Sequence, residues 1–577
     1  MLKLPYGISN FKMLREMGYF YQDRSQFLSL LDSQPTLYHL FLRPRKFGKT
    51  LFLSMLDYYY GIEHKGSFEQ LFGDLYIGKN PTAQANSFLI LRLDFSAIDS
   101  SSFENTYAGF RRNVLSAARD FISRYPNLFN SKIIEEIEQE NMPESILKSI
   151  TDALKQQKTK HKIFLLVDEY DQFANELLSF NHTNFKDSIG RNGFVRKFYE
   201  TVKVATAEGL IGRIFLTGVS PIAIDALTSG FNIITDLTLK PAFNEMIGFT
   251  HPEAASLLRR CGISEENASL LIADLMKWYN GYKFSTNAIN SLFNSNMLIY
   301  FILGYFENSE RYPNEMLDSN VLSDYQKIQK IFEIGAQENE RYILLEKILN
   351  EGYIDFDLVY NFSIDAEFTE AYFLSLLFYL GMLTIKEQRS GRIRFIIPNY
   401  VIKQLYFEYF NKLSLKKSEF PAASLNIGDS VDILVNKGNP EIFLKLCEKV
   451  IKTNYSNRDS IQFDEKHLKT MMIGLLIPFD SYMIHSEYET ERIYPDIFLE
   501  RVPGRKMTHE VIIELKYLQK KDKKQLDEKC KSAKFQLNNY LETTRFNKVD
   551  TLGIWAVFCG SELSDWGTAT AIKNDSF

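Results

Sequence analysis

Cysteine is scarce in this chain. Four residues, Cys261, Cys447, Cys530 and Cys559, lie far apart in 577 positions and form no CxxC pair. That argues against a disulfide framework and against a zinc site, and it fits a reducing cytoplasm. No run approaches eighteen apolar residues, so no membrane span is expected. The opening MLKLPYGISNFKML has no apolar stretch of the kind a signal peptide needs, and the final KNDSF matches no retention or anchor signal. Neither sign of charge dominates: 67 basic and 72 acidic side chains leave a formal net charge of −5. Nothing in that total advertises a nucleic-acid binder, although an acidic body can carry a basic cleft. Internal repeats and long low-complexity tracts are absent as well.

What the chain does have is apolar bulk. Hydrophobic residues make up 45% and charged residues 24%, with 46 Phe and 32 Tyr, so large cores can be built and disorder is not the expected state. The length predicts roughly three or four domains. Residues 1–35 read as helical, with an N-cap at Ser9 or Asn10. Apolar strand runs at 37–42, 88–95, 162–168 and 211–219 alternate with helical periodicity at 103–124, 144–158 and 193–208. That alternation predicts an α/β domain with a mainly parallel sheet over about 1–250. Helices follow at 252–280 and 291–306, giving a helical lid over about 251–310. Residues 311–415 read as a mostly helical, winged-helix-like middle region, with a strand pair at 382–398 turning at Ser390-Gly391. Residues 415–430 are the linker candidate. A second α/β unit, about 425–577, opens with helices over 428–478. It continues with strands near 494–501 and 508–517 joined at Pro503-Gly504, a basic helix at 520–543 and a buried strand at 551–559.

The first strand runs into Arg43-Pro44-Arg45-Lys46-Phe47-Gly48-Lys49-Thr50 and then a helix. This matches the P-loop pattern except at its first position, where Arg43 replaces glycine and must adopt the turn glycine makes easily. Such a loop cradles phosphate on main-chain N–H groups at a helix N-terminus. Lys49 would reach the β- and γ-phosphates of ATP, and the Thr50 hydroxyl would bind Mg²⁺. The strand FLLVDE ends in two carboxylates: Asp168 would hold Mg²⁺ and Glu169 would polarise the attacking water. The further strand at 88–95, between the two motifs, suits the ASCE branch of P-loop ATPases, which places a glutamate beside that aspartate. Thr217, ending the next strand, stands where a γ-phosphate-sensing residue often sits. The plainer reading is a basic loop and a strand that happens to end in Asp-Glu, but both motifs occur in the right order on the right elements.

In the last part, Glu514 and Lys516 stand at i and i+2 of one strand and share a face, with Ile513 and Leu515 turned into the core. A hairpin brings Asp496, at the start of the preceding strand, beside them. Asp496 and Glu514 suit Mg²⁺, or Mn²⁺ in its place, as hard oxygen ligands. The ion would polarise a phosphate and activate water, and Lys516 would stabilise the charge that develops. Glu487, placed in a preceding helix, could add a ligand, and Gln536 faces the same region from the following helix in such folds. Lys520, Lys521, Lys523, Lys524, Lys529, Lys531 and Lys534 would meet backbone phosphates without reading sequence. Taken alone, a lysine run is a solvated helix face and E-x-K an exposed ion pair; the combination is more specific.

These stretches resemble the AAA-ATPase-like family of bacterial proteins that carry a C-terminal PD-(D/E)xK nuclease domain. The resemblance rests on YFYQDRSQFLSLL (19–31), FLRPRKFGKTLFLSML (41–56), FLLVDEYD (164–171), FLTGVSPIAIDAL (215–227), FNEMIGFT (243–250) and WYNGYKFS (278–285). In the C-terminal part it rests on SEYETERIYPDIFL (486–499) and IIELKYL (512–518) with Gln536 downstream. Arginine at the first P-loop position is usual in that family. In such nuclease domains a glycine-arginine pair often precedes the metal aspartate; here Ile493-Tyr494-Pro495 stands there. The resemblance implies an ATP-binding module governing a Mg²⁺-dependent nuclease, with nucleic acid, DNA first, as partner. It leaves open self-association into a homo-oligomer, and it suggests genome defence or mobile-element maintenance. The alternative is an ATP-dependent switch whose nuclease-like domain binds without cutting.

Overall fold

The computed structural model describes the chain apart from residues 1, 97, 100, 173–192, 223–232, 320, 322–337, 361, 363–368, 390, 417–426, 456–462, 480–481, 487, 489, 492, 506, 548–549 and 571–577. It divides into two compact units. One comprises Met1–Gly304, Leu317–Ala336 and Ile354–Asn399; the other comprises Tyr305–Met316, Gln337–Tyr353 and Tyr400–Phe577. Among the described residues no helix is long and apolar enough to cross a membrane.

The first unit is built on β1 (Tyr38–Leu42), β2 (Leu89–Asp94), β3 (Ile163–Asp168), β4 (Ile211–Gly218) and β5 (Thr235–Asp236), in the order β2-β3-β4-β1-β5. Every pair is parallel. A parallel sheet is covered on both faces, so its strands are continuous apolar runs rather than alternating ones. All six residues of β3 are buried. The helix Lys49–Tyr60 follows β1, and the helices Phe103–Arg124, Pro143–Gln157 and Phe194–Ala207 pack together, the first against β2. Space, unlike sequence, puts β4 between the strands that carry the two ATPase motifs.

The first 35 residues depart from the helical expectation. Two short helices form, Phe11–Glu16, capped by the Asn10 side chain on the Met13 N–H, and Gln26–Asp32. Gly18, at φ 68°, ends the first turn of chain, and residues 19–24 have no regular structure. Further on, β6 (Phe249–Thr250) pairs with β7 (Leu292–Phe293). The helix His251–Arg260 starts with a capping box between Thr250 and Glu253. Helices Glu265–Tyr279 and Ser295–Glu307 follow. Among its described residues the middle stretch carries the helices Glu338–Glu351, Glu370–Tyr379 and Tyr400–Lys416. A third strand, β8 (Ile354–Phe356), joins β9 (Thr384–Arg389) and β10 (Arg392–Ile396) in the order β8-β10-β9. The wing turn keeps Gly391 at φ 87°, whereas Ser390 and most of the linker candidate lie outside the described residues.

The second unit centres on β11 (Tyr482–Ser486), β12 (Ile497–Arg501), β13 (Glu510–Leu518), β14 (Thr551–Cys559) and β15 (Glu562–Thr570), hydrogen-bonded in that order. Only β13 and β14 run parallel. Helices Glu465–Leu476 and Leu526–Leu541 pack on β13, the second over a core that includes Phe498, Ile512, Ala533, Leu537 and Val557. The basic segment is a 3₁₀ turn over Lys520–Gln525 before the α-helix begins at Leu526, a common way for a helix to start.

Gly281 shows how tightly the first unit is packed. It sits at φ 109°, and a Cβ there would stand 2.0 Å from the Pro398 carbonyl oxygen. Gly209, at φ 75°, has open space around it. Gly281→Ala should therefore lower stability by about 1–3 kcal/mol beyond the conformational penalty that Gly209→Ala also carries. Thermal melts of the two variants check this; equal midpoints contradict it.

Candidate functional site

The N-terminal site forms where β1 ends. Arg43 continues the ladder, its N–H donating to the Gly218 carbonyl. Left-handed conformations fall on Lys46 (φ 66°) and Gly48 (φ 109°), not on Arg43, so the residue in the usual glycine position makes no strained turn. Its guanidinium is buried away from the loop. It donates to the carbonyls of Leu42 (2.8 Å), Thr238 (2.9 Å) and Phe243 (3.0 Å) and lies 4.0 Å from the Phe284 ring centroid. Phe47 is buried edge-on against Tyr282 and Phe284. Pro44 closes on Gly381, where an added Cβ would stand 2.9 Å from its ring. Arg45 donates to the Gln172 amide oxygen at 2.6 Å.

The start of the helix Ser295–Glu307 holds the loop from outside. Asn294 Nδ2 donates to the Arg45 carbonyl (3.2 Å), the Asn296 N–H to that of Lys46 (3.3 Å) and the Ser295 hydroxyl to that of Phe47 (2.9 Å). With its carbonyls engaged there, the loop can turn N–H groups the other way, as a phosphate cradle requires. Lys49 Nζ donates to the carbonyls of Arg43 (3.0 Å) and Pro44 (3.1 Å). Burial lowers its pKa, against the pull of Glu169 and Asp168.

Asp168 is fully buried at the end of β3. Burial raises its carboxyl, the Thr50 hydroxyl that hydrogen-bonds it lowers it, and Asp94 raises it again. Glu169 takes a left-handed φ of 46°, an uncommon conformation for a non-glycine residue. The next residues hold it there: the Tyr170 N–H donates to the Thr217 carbonyl (3.1 Å), and Asp171 accepts from the N–H groups of Val219 (3.0 Å) and Ser220 (2.7 Å). Burial also lifts the Glu169 carboxyl, with Lys49 opposing. Thr217 stands one residue before the end of β4. Its buried hydroxyl donates to the Phe41 carbonyl (2.9 Å) inside the sheet. Residues Arg45 to Thr50 and Glu169 border a cavity of about 500 Å³.

The C-terminal site is made by a divergence between strands. β12 pairs with β13 only through Val511, Ile512 and Ile513. Beyond that point the N–H groups of β13 on that side need other acceptors. Asp496, just before β12, accepts from the Leu515 N–H at 2.8 Å, and Glu465, at the start of the helix Glu465–Leu476, accepts from the Tyr517 N–H at 3.3 Å. Glu514 and Lys516 project from the same stretch, Lys516 Nζ lying 2.6 Å from Glu514 Oε1 and 3.9 Å from Glu465 Oε1. Asp496, Glu514 and Lys516 are thus brought together as the sequence suggests.

Glu465 is a fourth member that the sequence reading missed. Burial lifts its carboxyl, Lys516 opposes this and Asp496 adds to it. For Glu514, burial and then Asp496 push the carboxyl up to about 7, against the Lys516 ammonium and the Tyr540 hydroxyl. Burial works against the Lys516 charge, but Glu514 outweighs it and lifts the ammonium. Gln536 precedes Tyr540 by one turn on the helix Leu526–Leu541 and shares its face. Glu514 Oε2 and Gln536 Oε1 are buried oxygens with no hydrogen-bond partner among the described residues. Oxygens of this kind, beside a second carboxylate, fit a hard divalent cation. Glu487 lies outside the described residues, just past the end of β11. Lys529 faces the site closely enough to lower Glu465, while Lys534 Nζ sits 4.5 Å from the Trp555 ring centroid.

Comparison with known proteins agrees with both halves. Residues 5–228 match the family model described as predicted AAA-ATPase, and residues 463–564 match that of the PD-(D/E)XK nuclease superfamily. The chain thus combines an AAA-ATPase-like region with a PD-(D/E)XK nuclease superfamily domain. An uncharacterized protein in the vnfD 5′ region of Azotobacter chroococcum mcd 1 is 26% identical over 300 residues. The match covers 50% of each chain, so this chain spans about half the length of that relative. A Walker-type ATPase of Pyrococcus abyssi aligns over 70% of this chain and 98% of its own, at 11% identity and a TM-score of 0.36, a likeness too loose to carry any argument.

The raised Glu514 carboxyl makes stability depend on pH. In the metal-free protein its contribution is complete below its ordinary value of 4.5 and is lost as pH rises through about 7, because the folded chain holds the proton longer than the unfolded one. Melting temperature across that window should fall more steeply in the wild type than in Glu514→Gln. Asp496→Asn, which removes a neighbouring negative charge, should move the loss to lower pH. Identical profiles for wild type and Glu514→Gln contradict this.

Proposed function

We propose that this pairing of an AAA-ATPase-like region with a PD-(D/E)XK domain is an ATP-binding and ATP-hydrolysing module that governs a Mg²⁺-dependent nuclease acting on nucleic acid, with DNA as the first substrate to test. The observation that carries the reading is the convergence of Asp496, Glu465, Glu514 and Lys516 on the open side of β13. Asp496 and Glu514 are the residues to hold the cation, Mn²⁺ being a substitute. When bound, such an ion polarises a phosphate and lowers the pKa of its water. Lys516 supplies positive charge beside Glu514, where the negative charge of a cleaved phosphodiester has to be met. The lysines of the 520–534 segment offer contacts to backbone phosphates that carry no sequence preference.

In the N-terminal region, main-chain groups of the loop with Lys49 are suited to the phosphates, Thr50 and Asp168 to Mg²⁺, and Glu169 to the attacking water. The reading divides the chain into an ATPase domain at about 1–250, a lid at 251–310, a middle region at 311–415 and a nuclease domain at 425–577. It suits a cytoplasmic protein of genome defence or mobile-element maintenance.

The test is to incubate the full chain with plasmid, linear duplex and single-stranded DNA, with Mg²⁺ or Mn²⁺, with and without ATP. Asp496→Ala should lower cleavage by at least about a hundredfold, since loss of even an outer partner of a metal site can cost that much. Lys49→Ala should keep a nuclease that no longer responds to ATP. No cleavage of any substrate, with nucleotide binding intact, would instead support a switch whose nuclease-like domain binds without cutting.

A further inference from the structure

The helix that follows the phosphate loop ends in a cluster that neither site uses. Asp57 stands in the last turn of Lys49–Tyr60, about 12 Å along the axis from Lys49 at about 1.5 Å per residue. Gly61 closes the helix, its N–H donating to the Asp57 carbonyl (2.9 Å), and a 3₁₀ turn over Ile62–Ser67 then brings Glu63 and His64 back beside Asp57. The reversal is tight. A Cβ on Gly61 would stand 2.9 Å from the Asp57 carbonyl oxygen and 3.0 Å from both Glu63 Oε2 and His64 Cδ2.

His64 Nε2 lies 3.5 Å from Asp57 Oδ1 and 3.6 Å from Glu63 Oε1. Contacts of that length are too long for good hydrogen bonds, and Nε2 is a buried nitrogen with no hydrogen-bond partner among the described residues. The separations do suit a shared ion. Around a tetrahedral Zn²⁺ with nitrogen and oxygen ligands at about 2.1 Å, the ligand atoms stand about 3.4 Å apart. One ligand atom from each of the three side chains lies within 4.8 Å of the others. Outer contacts orient the set, as partners of metal ligands do. The Tyr125 hydroxyl donates to the other Glu63 oxygen, Oε2 (2.7 Å), and the Tyr58 ring centroid lies 4.4 Å from that of the imidazole.

Arg124 is the competitor for the two carboxylates. Its Nη1 donates to Asp57 Oδ1 (2.8 Å) and Glu63 Oε1 (3.2 Å), while its Nε lies 2.9 Å from Asp120 Oδ2. The guanidinium therefore keeps an acceptor when an ion takes its place between Asp57 and Glu63.

We propose that Asp57, Glu63 and His64 form a Zn²⁺ site that pins the end of the phosphate-loop helix to the turn after it. It uses no thiolate, so the scarcity of cysteine does not bear on it. The imidazole favours Zn²⁺ over Mg²⁺, a hard ion that seeks oxygen, and such a donor set binds Zn²⁺ more tightly than Mn²⁺. Glu63 and His64 both reach solvent, so water completes the coordination.

The experiment is calorimetric titration of Zn²⁺ into the nucleotide-free full chain carrying Asp496→Asn and Glu514→Gln, so that the C-terminal carboxylates take no part. This parent should bind Zn²⁺ saturably, and its melting midpoint should rise with Zn²⁺ concentration. Adding His64→Ala or the isosteric Glu63→Gln should lower the affinity at least about tenfold, since loss of even an outer partner costs that much. Melting curves without metal show that each variant is folded. Arg124→Ala removes the competing cation and should bind Zn²⁺ more tightly than the parent. No saturable binding to the parent, or binding that His64→Ala leaves unchanged, overturns the proposal. Weaker binding to Arg124→Ala overturns it as well, because the guanidinium would then hold the carboxylates in place rather than compete with an ion for them.

Discussion

The parting of β12 from β13 after Ile513 is the constraint on which the C-terminal unit depends. It leaves N–H groups of a strand flanked by buried residues without a ladder, and a buried unmet donor costs about 1–3 kcal/mol. Asp496 and Glu465 accept from two of them. The interactions that complete the sheet are thus the same ones that gather carboxylates around Glu514 and Lys516. Glu514 is nearly inaccessible, so its charge depends on Lys516, on Asp496 and on any cation that binds there. A site built this way is positioned by the fold itself, because moving either acceptor would leave a β13 N–H without its partner.

The N-terminal unit uses its functional groups in a comparable manner. Lys49 bonds to carbonyls of its own loop, and Glu169 is held in a left-handed turn by the neighbours of Tyr170 and Asp171. Arg43 fills the position where a glycine is usual by sending its guanidinium into the core beneath the loop, with four carbonyls as acceptors. The loop is clasped from the other side by Asn294, Ser295 and Asn296. Phosphate binding would therefore act on a loop restrained on both sides.

Much of this was legible because parallel strands are continuous apolar runs: β1, β2, β3 and β4 all stand where the pattern predicts. Glu514 and Lys516 were legible from strand alternation alone. β11 and β15 were not, since both lie at sheet edges; β15 has no buried residue and no apolar alternation. Glu465 carries no local signature, being one acidic residue at the start of a helix, where acidic residues are common for other reasons. Asn294–Asn296 likewise reads as an ordinary helix start. The first 35 residues were misjudged as helical because short apolar spacings there serve two helices and a cavity wall rather than one helix. Arg43 shows the limit of a motif: the pattern marks the position but not where a substituted side chain goes.

Direct titration of Mn²⁺ into the nucleotide-free full chain tests the central claim, that the open side of β13 is a divalent-metal centre. The account predicts saturable binding that survives Lys49→Ala and is lost when Asp496→Asn and Glu514→Gln are combined. Binding that the double variant leaves unchanged, or no binding to the wild type, would contradict it.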